Sequence, residues 1–485
     1  MHQKSLKLNA VLNIVKQLCQ VLFPLISIPY ITRVLQPENY GKYNYGNSIV
    51  SYFVLIAALG ITTYSMREGV AYRNDSDQFS QFASEIFSIN VISTLFSYGL
   101  LSLVLLIPAM EPYRRLIAIQ SIVILLTTLG TDWINTIYED FLYITIRYIV
   151  FQIISICLMF LFVRKPDDYL IYAAIVVGSS AGANLLNFFH VRKYARVRFT
   201  CHIDWNRHLP PIFVFFANIL AISIYVNSDI TMLGLMKGDV EVGIYTLASK
   251  IYSIIKQILN AVIIVTVPRL SLLIKQDNRL QFDRLALRVQ KMLIMMVFPA
   301  TVGVAFLSSE IMELIGGTDY MEGSTTLALL SGAIAFSLLA TFYTSCIMIP
   351  LKLERYVLIT TILAAAVNIS LNIVFIPYLG TNGAAITTLI SEALVCFIGG
   401  YYTLKSGKTK IEFSFIMKVL VGSLFIVIIC TFMKFFELNV FYRTFFTVWF
   451  SVAVYFLVEM LIRNQFLIDE SKSLLMNLKY RMNRR

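Results

Sequence analysis

The chain has 485 residues, 58% of them hydrophobic and 14% charged, with a formal net charge of +12 and a mean hydropathy of +0.74. Soluble globular chains are roughly one-quarter charged, so an aqueous surrounding is excluded, and the apolar surface is expected to face lipid with backbone polar groups satisfied inside helices. No nucleic-acid motif accompanies the positive charge, which fits the Lys and Arg excess of cytoplasmic loops and excludes nucleic acid as a partner.

A helix needs about 20 apolar residues to cross the hydrocarbon layer. In chain order, such stretches fall at 9–31, 44–64, 84–108, 116–137, 142–163, 170–190, 211–235, 243–267, 290–309, 324–350, 356–376, 384–404, 414–436 and 444–462. The basic N-terminus runs into the first of these without a small-residue cleavage site, so it reads as a retained span and not a signal peptide. A very short turn joins the fourth and fifth spans. The largest inside connections, 191–210 and 268–289, are basic and are expected at the membrane surface. The outside loops are short, with 310–323 among the longest. With the N-terminus inside, and with Arg147 and Lys291 near the starts of their spans counted with the inside segments beside them, 27 Lys and Arg fall inside, 8 in outside loops and 5 within spans. That split predicts cytoplasmic N- and C-termini.

The second half echoes the first. Residues 32–49 (TRVLQPENYGKYNYGNSI) and 231–251 (TMLGLMKGDVEVGIYTLASKI) each show a span end, a polar turn, then Gly-x-Tyr opening the next span: Gly41 and Tyr43, Gly243 and Tyr245. Both copies start inside, so the repeat is parallel, with its axis along the membrane normal. The expected fold is an all-α integral membrane protein of about 14 transmembrane helices. Two pseudo-repeated six-helix bundles, 1–190 and 211–404, surround a central cavity, with a cytoplasmic basic loop at 191–210 between them. Two additional helices at 405–462 and a basic cytoplasmic tail at 463–485 follow.

An ionisable residue inside a span is costly and marks a functional candidate. Lys16, Lys250 and Lys256 lie too deep to reach headgroups easily, and Arg33 caps the outer end of the first span. These four are candidates for binding an anion in a cavity; the alternative is that each lysine pairs with a carboxylate. Asp132, Asp229 and Glu392 are candidates either for such pairing or for holding a coupling ion, H+ or Na+. Lys418, Lys434, Glu85 and Glu459 lie near span ends, where snorkelling explains them. Asn368 and Asn372 share one helix face and suit interhelical hydrogen bonding. Gly178 and Gly182 form a GxxxG suited to close packing.

The absences narrow the field. The six cysteines form no CxxC, and no Cys/His cluster, HExxH or GxSxG occurs. No metal site, catalytic residue or cofactor is expected. The histidines at 202 and 208 sit in a basic segment and read as a surface loop. There is no phosphate-binding loop, so ATP hydrolysis within this chain is not expected.

Several segments resemble the Wzx-type polysaccharide flippases. These are PYITRVLQPENYGKYNYGNSIVSYF (29–53), LGITTYSMREGVAYRND (59–75), DWINTIYEDFLYITIRYIV (132–150), IYVNSDITMLG (224–234), VGIYTLASKI (242–251), VPRLS (267–271) and NISLNIVFIPYLGTNGAAITTLISE (368–392). The resemblance runs in order over nearly the whole chain. It implies the multidrug/oligosaccharidyl-lipid/polysaccharide exporter superfamily, two six-helix bundles in a V, and alternating access. It implies a flippase that moves undecaprenyl-diphosphate-linked oligosaccharide, a capsule, O-antigen or teichoic-acid-type unit, from the inner to the outer leaflet. The setting it implies is the bacterial inner membrane, with membrane lipid around the chain and a polymerase or ligase as candidate partner. A diphosphate cargo gives the internal cations a physical task, since Lys and Arg make charge-assisted bonds to phosphate. The alternatives within the superfamily are a cation-coupled multidrug exporter, which wants an acidic cavity, and the peptidoglycan lipid-precursor flippase. A membrane-embedded polymerase or glycosyltransferase wants a long outer loop with catalytic residues, and none is evident.

Overall fold

The computed structural model of this protein describes residues 6–405 and 413–482, with all but a few of their side chains. Lys4, Lys408, Lys410 and the last three residues of the tail lie outside the described residues. No strand occurs among the described residues. Eleven helices there are long and apolar enough to cross a membrane, or twelve when the bent pair Trp205–Ala221 and Val226–Met236 counts as one span. Two of the eleven are double-length. Helix α1 (Leu6–Ala58) is broken at Gln36, whose φ and ψ are 59° and 170°. Pro37 follows that break and cannot donate a helical hydrogen bond.

The chain divides into two compact units, residues 1–246 and 247–485. In the first, α1 is followed by α2 (Ile61–Gly69), α3 (Ser76–Leu105), α4 (Arg114–Gly130), α5 (Asp132–Ile137), α6 (Phe141–Phe162), α7 (Tyr169–His190), α8 (Trp205–Met236) and the start of α9 (Asp239–Lys275). Asp75 caps α3, its carboxylate accepting from the N–H groups of Asp77 and Gln78 at 3.0 Å each, which satisfies donors a helix start leaves open. The core at one end gathers Tyr64, Phe79, Phe82, Ile86, Trp133 and Ile134 from α2, α3 and α5. Lipid supplies no hydrophobic drive between helices, so these aromatics hold by close contact.

The predicted fourth span is shorter than its apolar stretch. Thr131, with φ 42°, ends α4, and Asn187 of α7 donates its side-chain amide to the Gly130 carbonyl. Asn135 then donates to Asn187 at 2.5 Å, so two amides hold a break that hydropathy does not signal. The GxxxG in α7 packs on one glycine only: a Cβ on Gly182 would strike the Phe151 ring of α6, whereas Gly178 has nothing near it.

The basic segment after α7 runs extended beside α3 without pairing in a sheet. The N–H groups of Arg196, Arg198 and Thr200 donate to the hydroxyls of Ser80, Ser84 and Ser88 at 3.1, 3.2 and 2.8 Å. This serine ladder leaves the side chains of Arg196 and Arg198 exposed.

The second unit holds the rest of α9, then α10 (Arg279–Phe306), α11 (Ser308–Gly316), α12 (Ser324–Thr341), α13 (Glu354–Lys405), α14 (Phe413–Met433), α15 (Val440–Leu461) and α16 (Gln465–Met482). Helix α13 is broken at Gly380, with φ 55° and ψ −130°. The expected inside connection at 268–289 is mostly helical instead: α9 runs to Lys275 and α10 starts at Arg279. Its Lys, Arg, Gln and Leu residues are strong helix formers, and leaving the apolar layer does not require leaving the helix. The outside segment 310–323 is likewise ordered, as α11 and a following 3-10 turn. Helix α14 packs on α10 through Val419 and Phe415 against Ile294 and Met295. Phe441, Phe445 and Trp449 of α15 stay exposed, as suits a face turned to lipid.

Candidate functional site

Among the described residues, the candidate cations differ in their surroundings. Lys16 is half-buried on α1, and neither it nor Lys250 of α9, which is exposed, enters an ion pair among the described residues. Arg33 is exposed just before the α1 break. Lys256 is paired: its Nζ lies 3.2 Å from Glu392 Oε1 and 5.5 Å from the Tyr252 ring centroid. The Tyr252 hydroxyl also donates to Glu392, at 3.2 Å. The two lysines of α9 are therefore dissimilar, one presented and one engaged with α13. Their spacing of six residues already sets them on different faces.

The carboxylates are all engaged. Asp229 is buried on α8 and accepts from the Tyr245 hydroxyl at 2.5 Å. Glu392 is buried by its contacts with α9. Asp132 opens α5 and accepts from Arg147 of α6 at 2.5 Å; the arginine side chain is 7% exposed and the aspartate 52%. Arg147 also lies over the Tyr143 ring, 5.4 Å from its centroid, and its Nη1 is buried without a hydrogen-bond partner. A buried guanidinium with one nitrogen tied and another unpartnered keeps a donor suited to a phosphate or carboxylate oxygen.

No group of three or more His, Cys, Asp or Glu side chains that would hold a metal occurs among the described residues.

Residues 6–274 match the family described as "Polysaccharide biosynthesis protein". The chain belongs to the polysaccharide biosynthesis protein family. An Escherichia coli K12 protein named as an O-antigen transporter is 26% identical over 273 residues. That match covers 55% of this chain and 65% of the relative, so the chain spans just under two thirds of that protein's length. The Staphylococcus aureus capsular polysaccharide biosynthesis protein CapF is 23% identical over 425 residues, 83% of this chain and 99% of CapF. In fold, the chain is similar to the lipid II flippase MurJ in an inward closed conformation. The TM-score is 0.74 at 16% identity, over 94% of this chain and 99% of MurJ. It is also similar to an inward-facing multidrug resistance transporter of the MATE family, with a TM-score of 0.54 at 14% identity over 80% of this chain and 98% of that one.

In this polysaccharide biosynthesis protein, sequence reading passed over two clusters of the first unit. One is Arg147 itself, which belongs to the DWINTIYEDFLYITIRYIV segment but was counted as an inside-loop charge. The other joins Glu85 and His208, both read as surface features. His208 is fully buried, its Nε2 2.9 Å from Glu85 Oε2 and its Nδ1 2.7 Å from the Tyr64 hydroxyl. The signal was present in part: Glu85 sits on the helix face of Phe82 and Ile89, which are themselves buried.

Proposed function

We propose that this chain is a flippase that carries undecaprenyl-diphosphate-linked oligosaccharide from the inner to the outer leaflet of the bacterial inner membrane by alternating access. The observation that carries this reading is membership of the polysaccharide biosynthesis protein family over more than half of the chain. The all-helical fold with its many apolar spans, similar along nearly its whole length to MurJ, supports it. The same relatives support a transporter role over an enzymatic one.

Fourteen crossings fit this reading. Helices α1 and α13 have 53 and 52 residues, about twice what one crossing needs, and each is broken near its middle. Counting each as two spans and the bent α8 as one gives fourteen. The charge split favours both termini in the cytoplasm. Repeats 1–190 and 211–404, with 405–462 and 463–485 as additions, fit the same count.

In this reading Lys16 and Lys250, which enter no ion pair among the described residues, contact the diphosphate in turn. Arg33 assists at the outer end, and Arg147 offers its open Nη1. Lys256, tied to Glu392, exchanges between that carboxylate and cargo. Asp132, Asp229 or Glu392 holds the coupling ion, H+ or Na+, if a gradient drives the cycle. A polymerase or ligase consumes the delivered unit.

The test is reconstitution in liposomes with a fluorescent undecaprenyl-diphosphate oligosaccharide, following leaflet exchange with and without pH and sodium gradients. Exchange that needs the protein, and that falls at least about tenfold in Lys16→Ala and Lys250→Ala, is the expected result. A tenfold loss corresponds to about 1.4 kcal/mol of transition-state stabilisation, within reach of one charge-assisted bond. Gradient-driven efflux of an organic cation, with no exchange of lipid-linked sugar, would replace this function with drug export.

A further inference from the structure

Helix α13 turns back on itself at Gly380, and its two halves run side by side. Thr387 donates to Asn372 across the hairpin at 2.5 Å. Toward the open ends, the rings of Tyr356 and Tyr402 meet at 4.5 Å. A groove of about 490 Å³ lies there, walled by both halves. Its walls follow from helical spacing. Tyr356, Ile359 and Leu363 stand three and four residues apart and make one stripe, and Phe397 and Tyr401, four apart, belong to the other. Ile359, Leu363 and Phe397 are exposed apolar side chains, as lipid requires.

The polar groups collect at the open end. The hydroxyls of Tyr356, Tyr401 and Tyr402 make no hydrogen bond among the described residues. Arg355 stands one turn before Ile359, and Lys405 one turn after Tyr401, so each continues a wall of the groove. Both are exposed, as is Lys352 in the preceding turn, and none of the three enters an ion pair among the described residues. Glu354 is the acid of the same stretch. Apolar walls, then hydroxyls, then cations repeat the order of a lipid, from acyl chain through glycerol to phosphate.

We propose that this groove binds one anionic diacyl phospholipid. An acyl chain lies between the halves of α13, and the phosphate accepts from Arg355, Lys405 and the tyrosine hydroxyls. A zwitterionic headgroup carries its own ammonium, which these cations repel, so charge selects an anionic lipid. The wall from Tyr356 to Leu363 is about two helical turns long, roughly 10 Å. That length holds part of an acyl chain and only a small fraction of an undecaprenyl tail. The bound lipid closes the open end of a hairpin whose other end is covalent, so it acts as a resident of the second unit and not as cargo. Which leaflet supplies it rests on the topology of the flippase reading above; the binding does not.

The experiment is native mass spectrometry of the full chain, delipidated in detergent and titrated with phosphatidylglycerol, phosphatidylcholine or undecaprenyl phosphate. The parent should retain one phosphatidylglycerol and prefer it over phosphatidylcholine by at least about tenfold, the scale of a charge-assisted bond. Arg355→Gln combined with Lys405→Gln should abolish that preference. Lys434→Gln, at an exposed cation just past α14, should preserve it. Phosphatidylglycerol with a photoreactive diazirine at its acyl end should label 359–363 and 397–402 of the parent. Equal binding of phosphatidylcholine, an unchanged preference in the double variant, or labelling confined to other segments would overturn the proposal and reduce the groove to ordinary lipid-facing surface. Displacement of phosphatidylglycerol by equimolar undecaprenyl phosphate would also overturn it, by giving the groove to the carrier lipid. If the double variant fails to fold, Tyr401→Phe with Tyr402→Phe keeps the rings and removes two hydroxyls. That pair should lower the preference about threefold, and no change would equally sink the site. None of these readouts involves transport, so a protein that exchanges no lipid-linked glycan would lose the flippase reading and keep this one.

Discussion

The two units hold their helices together by different chemistry. In the first, acids and bases from distant parts of the chain meet around residues 64–85, 132–147 and 190–208. Arg147 pairs with Asp132, Arg73 with Glu139 at 2.9 Å, and the imidazoles of His190 and His208 each lie 2.9 Å from a carboxylate, of Asp140 and Glu85. In the second, α12 and α13 are joined mainly by neutral groups. Thr326 meets Thr381 and Asn382 at 2.8 Å each, and within α13 Asn372 donates to Asn368 at 3.1 Å and accepts from Thr387 at 2.5 Å. Lys256–Glu392, Arg288–Glu470 and the approaches of Lys434 and Arg443 to Glu310 are the charged exceptions there. A charge network loses much when one member goes, because the partner stays buried and uncompensated. A neutral ladder in a membrane loses little, because lipid-exposed helices find substitute partners.

That contrast is open to direct test by thermal unfolding in detergent. The largest loss should follow Asp132→Ala, which strands the buried Arg147 and should cost about 3 kcal/mol; Arg147→Met, removing the charge, should cost less. His208→Leu should come next, at about 2 kcal/mol, since it leaves Glu85 and Tyr64 each short of a bond. Asn372→Ala should cost about 0.6 kcal/mol, the usual scale of an interhelical hydrogen bond in a membrane. Lys434→Ala should be the smallest, within about 0.5 kcal/mol, because its Nζ is 3.9 Å from Glu310 and its side chain is 51% exposed. If Asn372→Ala proved costlier than Asp132→Ala, the division between a charged and a neutral unit would not stand.

The apolar spans were legible because hydropathy alone decides what can enter lipid. Phe141–Phe162 and Val440–Leu461 start and stop within a few residues of the expected 142–163 and 444–462. The breaks were less legible. Nothing about Gln36 announces a backbone conformation usually left to glycine, although Pro37 beside it is a fair warning. Thr131 ends α4 because Asn187, 57 residues from Gly130, reaches its carbonyl, and no local pattern reports such a reach. The connections 268–289 and 310–323 turned out largely helical, because polarity reports exposure and not conformation.

The candidate charges were found by composition and depth, but their partners were not. Lys256 and Glu392 are 136 positions apart, and spacing along one helix says nothing about the neighbour it packs against. Glu85 was set aside because it lies near a span end. Its burial follows from His208, which α8 brings back to α3.

The serine ladder beside α3 has a built-in length. Four helical residues advance about 6.0 Å, and two extended residues about 6.6 Å. Hydroxyls at 80, 84 and 88 therefore keep step with amides at 196, 198 and 200, but like the scales of a vernier they drift by about 0.6 Å per rung. By the third rung the offset is about 1.2 Å, which flexible serine rotamers absorb, and by a fourth it would be about 1.8 Å. The helix carries Ile92 where that fourth hydroxyl would be, and the strap bends away at Cys201. The mismatch between two regular geometries thus limits how many rungs such a ladder can hold in register.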